Sequence, residues 1–152
     1  MARNRWLFAA GALSAIAAAL HLGCVLGGPS WYRFFGAGEP MARLAERGSL
    51  TPALYAFAIA AVLCGWSAYA FSGSGALPRP PLLRPILVAV CAVYLLRAAA
   101  LPALLAYAVG PGRSASFLVW SSAIVLVYGV VHVIGIWTSW ADLKARRPQS
   151  GM

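Results

Sequence analysis

The chain has 152 residues, 62% of them hydrophobic and only 10% charged, with a mean hydropathy of +0.79. A water-soluble domain carries roughly 25% charged residues, so this composition excludes a surface solvated on all sides and leaves room for one membrane domain. Twelve Lys and Arg against three Asp and Glu give a net charge of +9, but the cations lie between apolar runs and no nucleic-acid motif accompanies them, so membrane lipids with anionic headgroups are the expected partners and nucleic acid is not.

A helix needs about 20 apolar residues to cross a hydrocarbon core of about 30 Å. The first such run extends from Trp6 to Leu26 and is closed by Gly27, Gly28 and Pro29. Arg3 and Arg5 ahead of it resemble the start of a signal peptide, and Leu22-Gly23-Cys24 resembles a lipoprotein cleavage box. His21 stands where that box wants an aliphatic residue, and the run is long for a signal segment, so a retained helix is expected. Gly11, Ala15, Ala19 and Gly23 recur at steps of four, a small-residue ridge suited to close helix contact in lipid.

The connection from Pro29 to Leu50 is the longest. It opens on Trp31, Tyr32, Arg33, Phe34 and Phe35, turns through Gly36-Ala37-Gly38, and then reads as two helical turns over 41–47, started by Pro40 and ended by Gly48. Glu39 with Arg43 is an i,i+4 pair, and Arg43 with Glu46 an i,i+3 pair. Two readings follow: a short amphipathic helix lying in the headgroup layer, or a lid hinged at the glycines over a site between helices.

The second span runs from Pro52 to Phe71, with Ala56, Ala60, Cys64 and Ala68 as its ridge, and the third from Pro85 to about Val109, with Pro102 inside it. The fourth runs from Phe117 to Trp140 and carries Ser121, Tyr128, His132, Gly135 and Ser139 near one stripe, a hydrogen-bonding face or the lining of a polar path. The expected fold is therefore an all-α membrane protein, a four-helix up-down-up-down bundle with a short amphipathic helix in its first outer loop. Arg3, Arg5, Arg79, Arg84, Lys144, Arg146 and Arg147 flank one side, against Arg33, Arg43, Arg47 and Arg113 on the other, so the positive-inside rule puts both termini in the cytoplasm. Lys144 is the only lysine; with the abundant alanine this suggests a high-GC bacterial genome and hence a bacterial inner membrane. Trp6, Trp31, Tyr32, Trp120, Trp137 and Trp140 lie near span ends, as interfacial anchors do.

Arg97 is the one charge inside an expected span, roughly 16 Å above the cytoplasmic boundary. A charge at such depth costs about 2.5–3.5 kcal/mol on insertion scales, so it requires a partner, a cavity or an anionic ligand. Tyr94 shares its face, and His21 lies at a similar level, roughly 21 Å up the first helix. Arg97, Tyr94 and His21, covered by the loop residues Glu39 and Arg43, form the candidate ligand-binding set; the alternative is an arginine tying helices together through backbone carbonyls. His132 lies only about 9 Å above the inner boundary, a mismatch in depth with His21 that argues against a bis-histidine haem or a shared metal. Cys24, Cys64 and Cys91 show no C-x-x-C spacing, and their odd number argues against a disulfide framework. No cofactor or metal is expected: nucleotide loops, zinc motifs and a nucleophile elbow are all missing. The spans contain no Asp or Glu, which weakens a proton-coupled transporter.

The run from His21 through Trp31-Tyr32-Arg33-Phe34-Phe35-Gly36-Ala37-Gly38-Glu39 to Ala45-Glu46-Arg47-Gly48-Ser49 resembles one found in small four-helix proteobacterial inner-membrane proteins, as do Leu95-Leu96-Arg97 and Trp120-Ser121-Ser122. The resemblance implies a membrane location and four helices, and carries over no site. The functional expectation is a protein that binds a lipid or amphipathic small molecule or supports a partner membrane protein, with a homo-oligomer also open. The rivals are a small transporter or channel, and an enzyme using His21 with Glu39 or Glu46 on a lipid-soluble substrate.

Overall fold

In the computed structural model, residues 3–100, 103 and 115–144 are described, with backbone alone for 115–117 and 144, and their regular structure is helical throughout. Helix α1, Arg5–Phe34, starts where the Asn4 side chain accepts from the Trp6 and Leu7 amides at 2.9 and 3.0 Å, an N-cap that satisfies two of the four orphan donors. Asn4 also pins its neighbours. Its amide reaches the Ser74 carbonyl at 3.1 Å, and its side-chain nitrogen reaches the Gly135 carbonyl and Thr138 Oγ1 at 3.3 and 3.0 Å.

The expected end of the first helix at Gly27–Pro29 is a kink rather than a stop. Gly28 takes φ 65° and ψ −151°, after which Pro29 begins a further helical turn through Phe34. Proline is tolerated there because its missing N–H belongs to a first turn. The segment from Pro29 to Leu50 is thus mostly helical, since α2, Glu39–Glu46, follows directly, with Pro40 in its first turn. Ala42 of α2 is buried against Cys24 and Tyr32 of α1.

Helix α3, Thr51–Ser74, ends on Gly75, which caps it in the left-handed conformation at φ 86°. Helix α4, Leu83–Ala99, is 17 residues long, a rise of about 25 Å. The expected third span was longer; α4 instead closes with Ala100 as C-cap, two residues before Pro102, as helices do ahead of proline. The rest of that span, apart from Ala103, lies outside the described residues. Helix α5 is Ala115–Thr138, and a break at Ser139 separates it from the short α6, Trp140–Lys144. Among the described residues, three helices are long and apolar enough to cross a membrane: Arg5–Phe34, Thr51–Ser74 and Leu118–Thr138.

Helices α1 and α3 run antiparallel, with Asn4 beside Ser74, Gly11 beside Ser67 and Ala18 beside Ala60. Their contact does not follow the expected steps of four. Gly11, Ala56 and Ala60 of the expected ridges are buried, but Ala19, Cys64 and Ala68 are exposed. The buried stripe that joins the two helices runs through Leu7, Gly11, Ser14 and Ala18 on α1 and Ala56, Ala60, Leu63, Ser67, Ala70 and Ser74 on α3, with Ala10, Ser72 and Gly73 buried beside it. Steps of four and three in alternation average 3.5 residues, the repeat of a left-handed seam with shallow crossing angles. The same alternation runs through Leu83, Leu87, Val90 and Tyr94 on α4. On α5 it runs through Leu118, Ser122, Val125, Gly129, His132, Ile136 and Ser139, of which Val125 alone is half-buried. Small residues set the closeness: a Cβ on Gly11 would meet the Phe71 ring at 2.9 Å, and one on Gly135 would lie 3.0 Å from the Leu7 backbone nitrogen.

Candidate functional site

The seam locates the residues singled out from the sequence. One step of three beyond Tyr94 on α4 is Arg97, and one step of three beyond Ala18 on α1 is His21. Both therefore continue the inward stripes of their helices, on the side of the molecule away from the two described chain ends. Tyr94 is buried, whereas Arg97 is exposed.

The three side chains meet different partners. The Arg97 guanidinium donates to Ser122 Oγ of α5 at 3.4 Å, a long hydrogen bond. It sits in the last turn of α4, where a cation is favoured by the partial negative charge of the helix C-terminus. His21 Nδ1 lies 2.8 Å from the Ala17 carbonyl one turn back; a carbonyl only accepts, so Nδ1 carries the proton. Tyr94 turns into the core. Its hydroxyl shares a 3.1 Å hydrogen bond with Ser14 Oγ, and its ring packs against Trp66, Tyr128 and His132 at centroid distances of 5.2, 5.6 and 5.2 Å.

His132 is fully buried. Its Nδ1 donates to the Tyr128 carbonyl at 2.8 Å, which leaves Nε2 an acceptor in the neutral ring, and among the described residues Nε2 has no hydrogen-bond partner. Trp66, Tyr94, Tyr128 and His132 come from α3, α4 and α5 and fill the centre with rings. The expected fourth-helix stripe is also shifted: Ser121 bonds back to the Leu118 carbonyl at 3.1 Å, and Ser122 takes the inward place.

The loop acids are committed elsewhere. Glu39 accepts from Arg33 Nε and Nη2 at 2.8 and 3.2 Å and from Arg43 Nε at 3.0 Å, while Glu46 accepts from Arg33 Nη2 at 2.7 Å. The Glu39–Arg43 pair is thus formed, and Glu46 is taken by Arg33. Among the described residues, ion pairs join Arg33 to both acids and Arg43 to Glu39, and none joins a carboxylate to Arg97. Hydrogen bonds from Arg33, and then from Arg43, hold the Glu39 carboxyl down at about 2.

Sequence reasoning missed Ser122 and Arg33. The 3.5-residue repeat marks Ser122 as inward once Leu118, Gly129 and His132 are aligned; nothing in the sequence announces that Arg33 reaches both acids, because that depends on how the chain turns between α1 and α2 through Gly36 and Gly38, at φ 75° and 91°. The three cysteines are free, and no group of three or more His, Cys, Asp or Glu among the described residues could hold a metal ion. No protein-family model, curated protein or solved structure matches the chain.

Proposed function

We propose that the chain is a four-span protein of a bacterial inner membrane, arranged up-down-up-down with both termini in the cytoplasm, that binds an acidic amphiphile without transforming it. The observation that carries this reading is Arg97: an exposed arginine on the inward stripe of an apolar helix, with one long hydrogen bond and no carboxylate partner among the described residues. A guanidinium has five donors in a planar fork that matches carboxylate and phosphate oxygens. With Ser122 beside it, Arg97 would take the acidic group, and the apolar tail would lie among the lipids around Val93 and Leu96, which are exposed. His21 and Tyr94 on the same seams, and the clamp of α2 with Glu39 and Arg43 on the kinked end of α1, would border the site; α2 itself would rest in the headgroup layer.

The enzyme reading has less support, since it needs His21 with a free loop carboxylate, and Arg33 and Arg43 hold both acids. The packed rings at the centre favour a binder over a channel. The test compares ligand retained through gentle detergent extraction, by native mass spectrometry, in wild type, Arg97→Lys and Arg97→Ala. Arg97→Ala is expected to lose the ligand by about tenfold or more, the scale of a lost charge-assisted hydrogen bond. Retention in Arg97→Lys would mean a point charge suffices, and loss would mean bidentate recognition. Unchanged ligand content in both folded variants would overturn the reading.

A further inference from the structure

Along the middle of α4, from Val88 to Leu95, the α4–α5 contact opens into an apolar groove of about 690 Å³, walled by Val88, Ala92 and Leu95 on one side and Val133, Ile136 and Trp137 on the other. Trp140 lines the groove as well, and the central carbon of the Arg84 guanidinium lies over its indole, 3.2 Å from the ring centroid. We propose that this groove holds one acyl chain of an anionic phospholipid, with the phosphate on Arg84. The inference stands apart from the Arg97 site and rests only on membrane insertion of the long helices.

Arg84, Val88, Cys91 and Leu95 follow one stripe of α4, so the cation and the groove share a face. From Arg84 to Leu95 the helix rises about 16 Å, close to half of the roughly 30 Å hydrocarbon core, which is the depth of one leaflet. A cation held over an aromatic face by the ring's quadrupole keeps its N–H donors, and those of a guanidinium can make a bidentate contact with phosphate oxygens. Among the described residues no hydrogen bond or ion pair uses those donors. The first turn of α4 lacks a side-chain cap, so its partial positive charge adds to that of Arg84. Positive charge predominates along this end of the molecule, where Arg3, Arg5 and Arg79, against the single acid Asp142, line a neighbouring polar hollow. A phosphodiester of net negative charge fits such a rim better than a zwitterionic headgroup, whose own cation would be repelled.

The experiment uses the full chain in detergent with phosphatidylglycerol or phosphatidylcholine added, and counts bound lipid by native mass spectrometry. Wild type is expected to hold one phosphatidylglycerol in preference to phosphatidylcholine. Arg84→Gln should weaken phosphatidylglycerol retention by about tenfold and erase the preference. Ala92→Phe, at an exposed position on the groove wall, should block the groove and lose the tightly held lipid with Arg84 intact, with unchanged thermal unfolding as the check that the variant is folded. Arg47→Gln, which removes the same charge from an exposed position beyond α2 and outside the groove and its rim, should change retention by less than about twofold, as a screened exposed charge does. Equal losses in Arg84→Gln and Arg47→Gln would reduce the effect to surface charge and overturn the proposal. So would full retention in Ala92→Phe, or a dimer in which a second copy covers the groove and excludes lipid. Arg97→Ala is expected to leave this lipid in place, so failure here and failure of the Arg97 reading are separable.

Discussion

Three glycines show how the same residue type answers different physical demands. Gly27 has no room: a Cβ there would lie 2.1 Å from Cγ of Trp31, whose indole folds back over it and over Gly23. Gly28 has room but an unusual backbone, with nothing within 4 Å of its Cβ position and φ at +65°. Gly65 has both open space and ordinary helical geometry. Alanine substitution should therefore separate them in thermal unfolding of the detergent-solubilised protein. Gly27→Ala is expected to cost about 1–3 kcal/mol by displacing Trp31, and Gly28→Ala about 1–3 kcal/mol by backbone strain alone. Gly65→Ala should be neutral or stabilising by up to about 1 kcal/mol. Equal effects at all three would mean the kink is not seated as described. From the sequence, Gly27-Gly28-Pro29 is recognisable as a break, but its direction is not, because either glycine could supply the positive φ.

At the scale of elements, α2 is held to the end of α1 by charge as much as by packing. Buried Ala42 covers little area, while Arg33 bridges Glu39 and Glu46. Glu39 has a folded-state pKa of about 2, below its ordinary value of 4.5. A depressed carboxyl contributes stability that is fully present above the ordinary value and is lost as pH falls through the folded one. Docking of α2 is thus expected to hold above about pH 4.5 and to weaken between 4.5 and 2. Amide exchange of residues 39–46 measures it: protection should fall across that window in wild type, whereas Glu39→Gln should be less protected at neutral pH and lose this acid dependence. Protection that is flat with pH in wild type would show that the ion pairs do not hold the helix. A helix over this segment was legible from Pro40, Gly48 and the Glu39–Arg43 spacing. The partner of Glu46 was not, since local spacing favours Arg43 and only the fold brings Arg33 within 2.7 Å.

For the whole molecule, the decisive quantity is the length of α4. Its 17 residues rise about 25 Å, somewhat short of a hydrocarbon core of about 30 Å, and arginines lie near both of its ends. Long side chains at such positions can reach toward the headgroups, which lets a short helix span. A reporter active only outside the cytoplasm tests this: fused after Glu46 it should be active, and fused after Lys144 inactive. An active fusion after Lys144, with the N-terminus still cytoplasmic, would leave three spans and place Arg84 and Arg97 in a helix that does not cross.

Membrane character and helical class are properties of composition, because a chain this apolar with so few charges has no other stable environment and the segments must satisfy their backbone hydrogen bonds within themselves. The cation at Arg97 was equally legible, as the one charge in a long apolar run. Which face each helix buries was a different matter. Each of the long helices is apolar around most of its circumference, so the contrast between core and lipid faces that guides such assignments in water is missing. Ridges of small residues at steps of four suggested one packing, and the structure uses steps of four and three. Tyr94 was grouped with Arg97 by sequence proximity, yet it bonds Ser14, 80 residues away. Contacts of that kind depend on which helices lie side by side and at what rotation, and only the packed tertiary structure decides that.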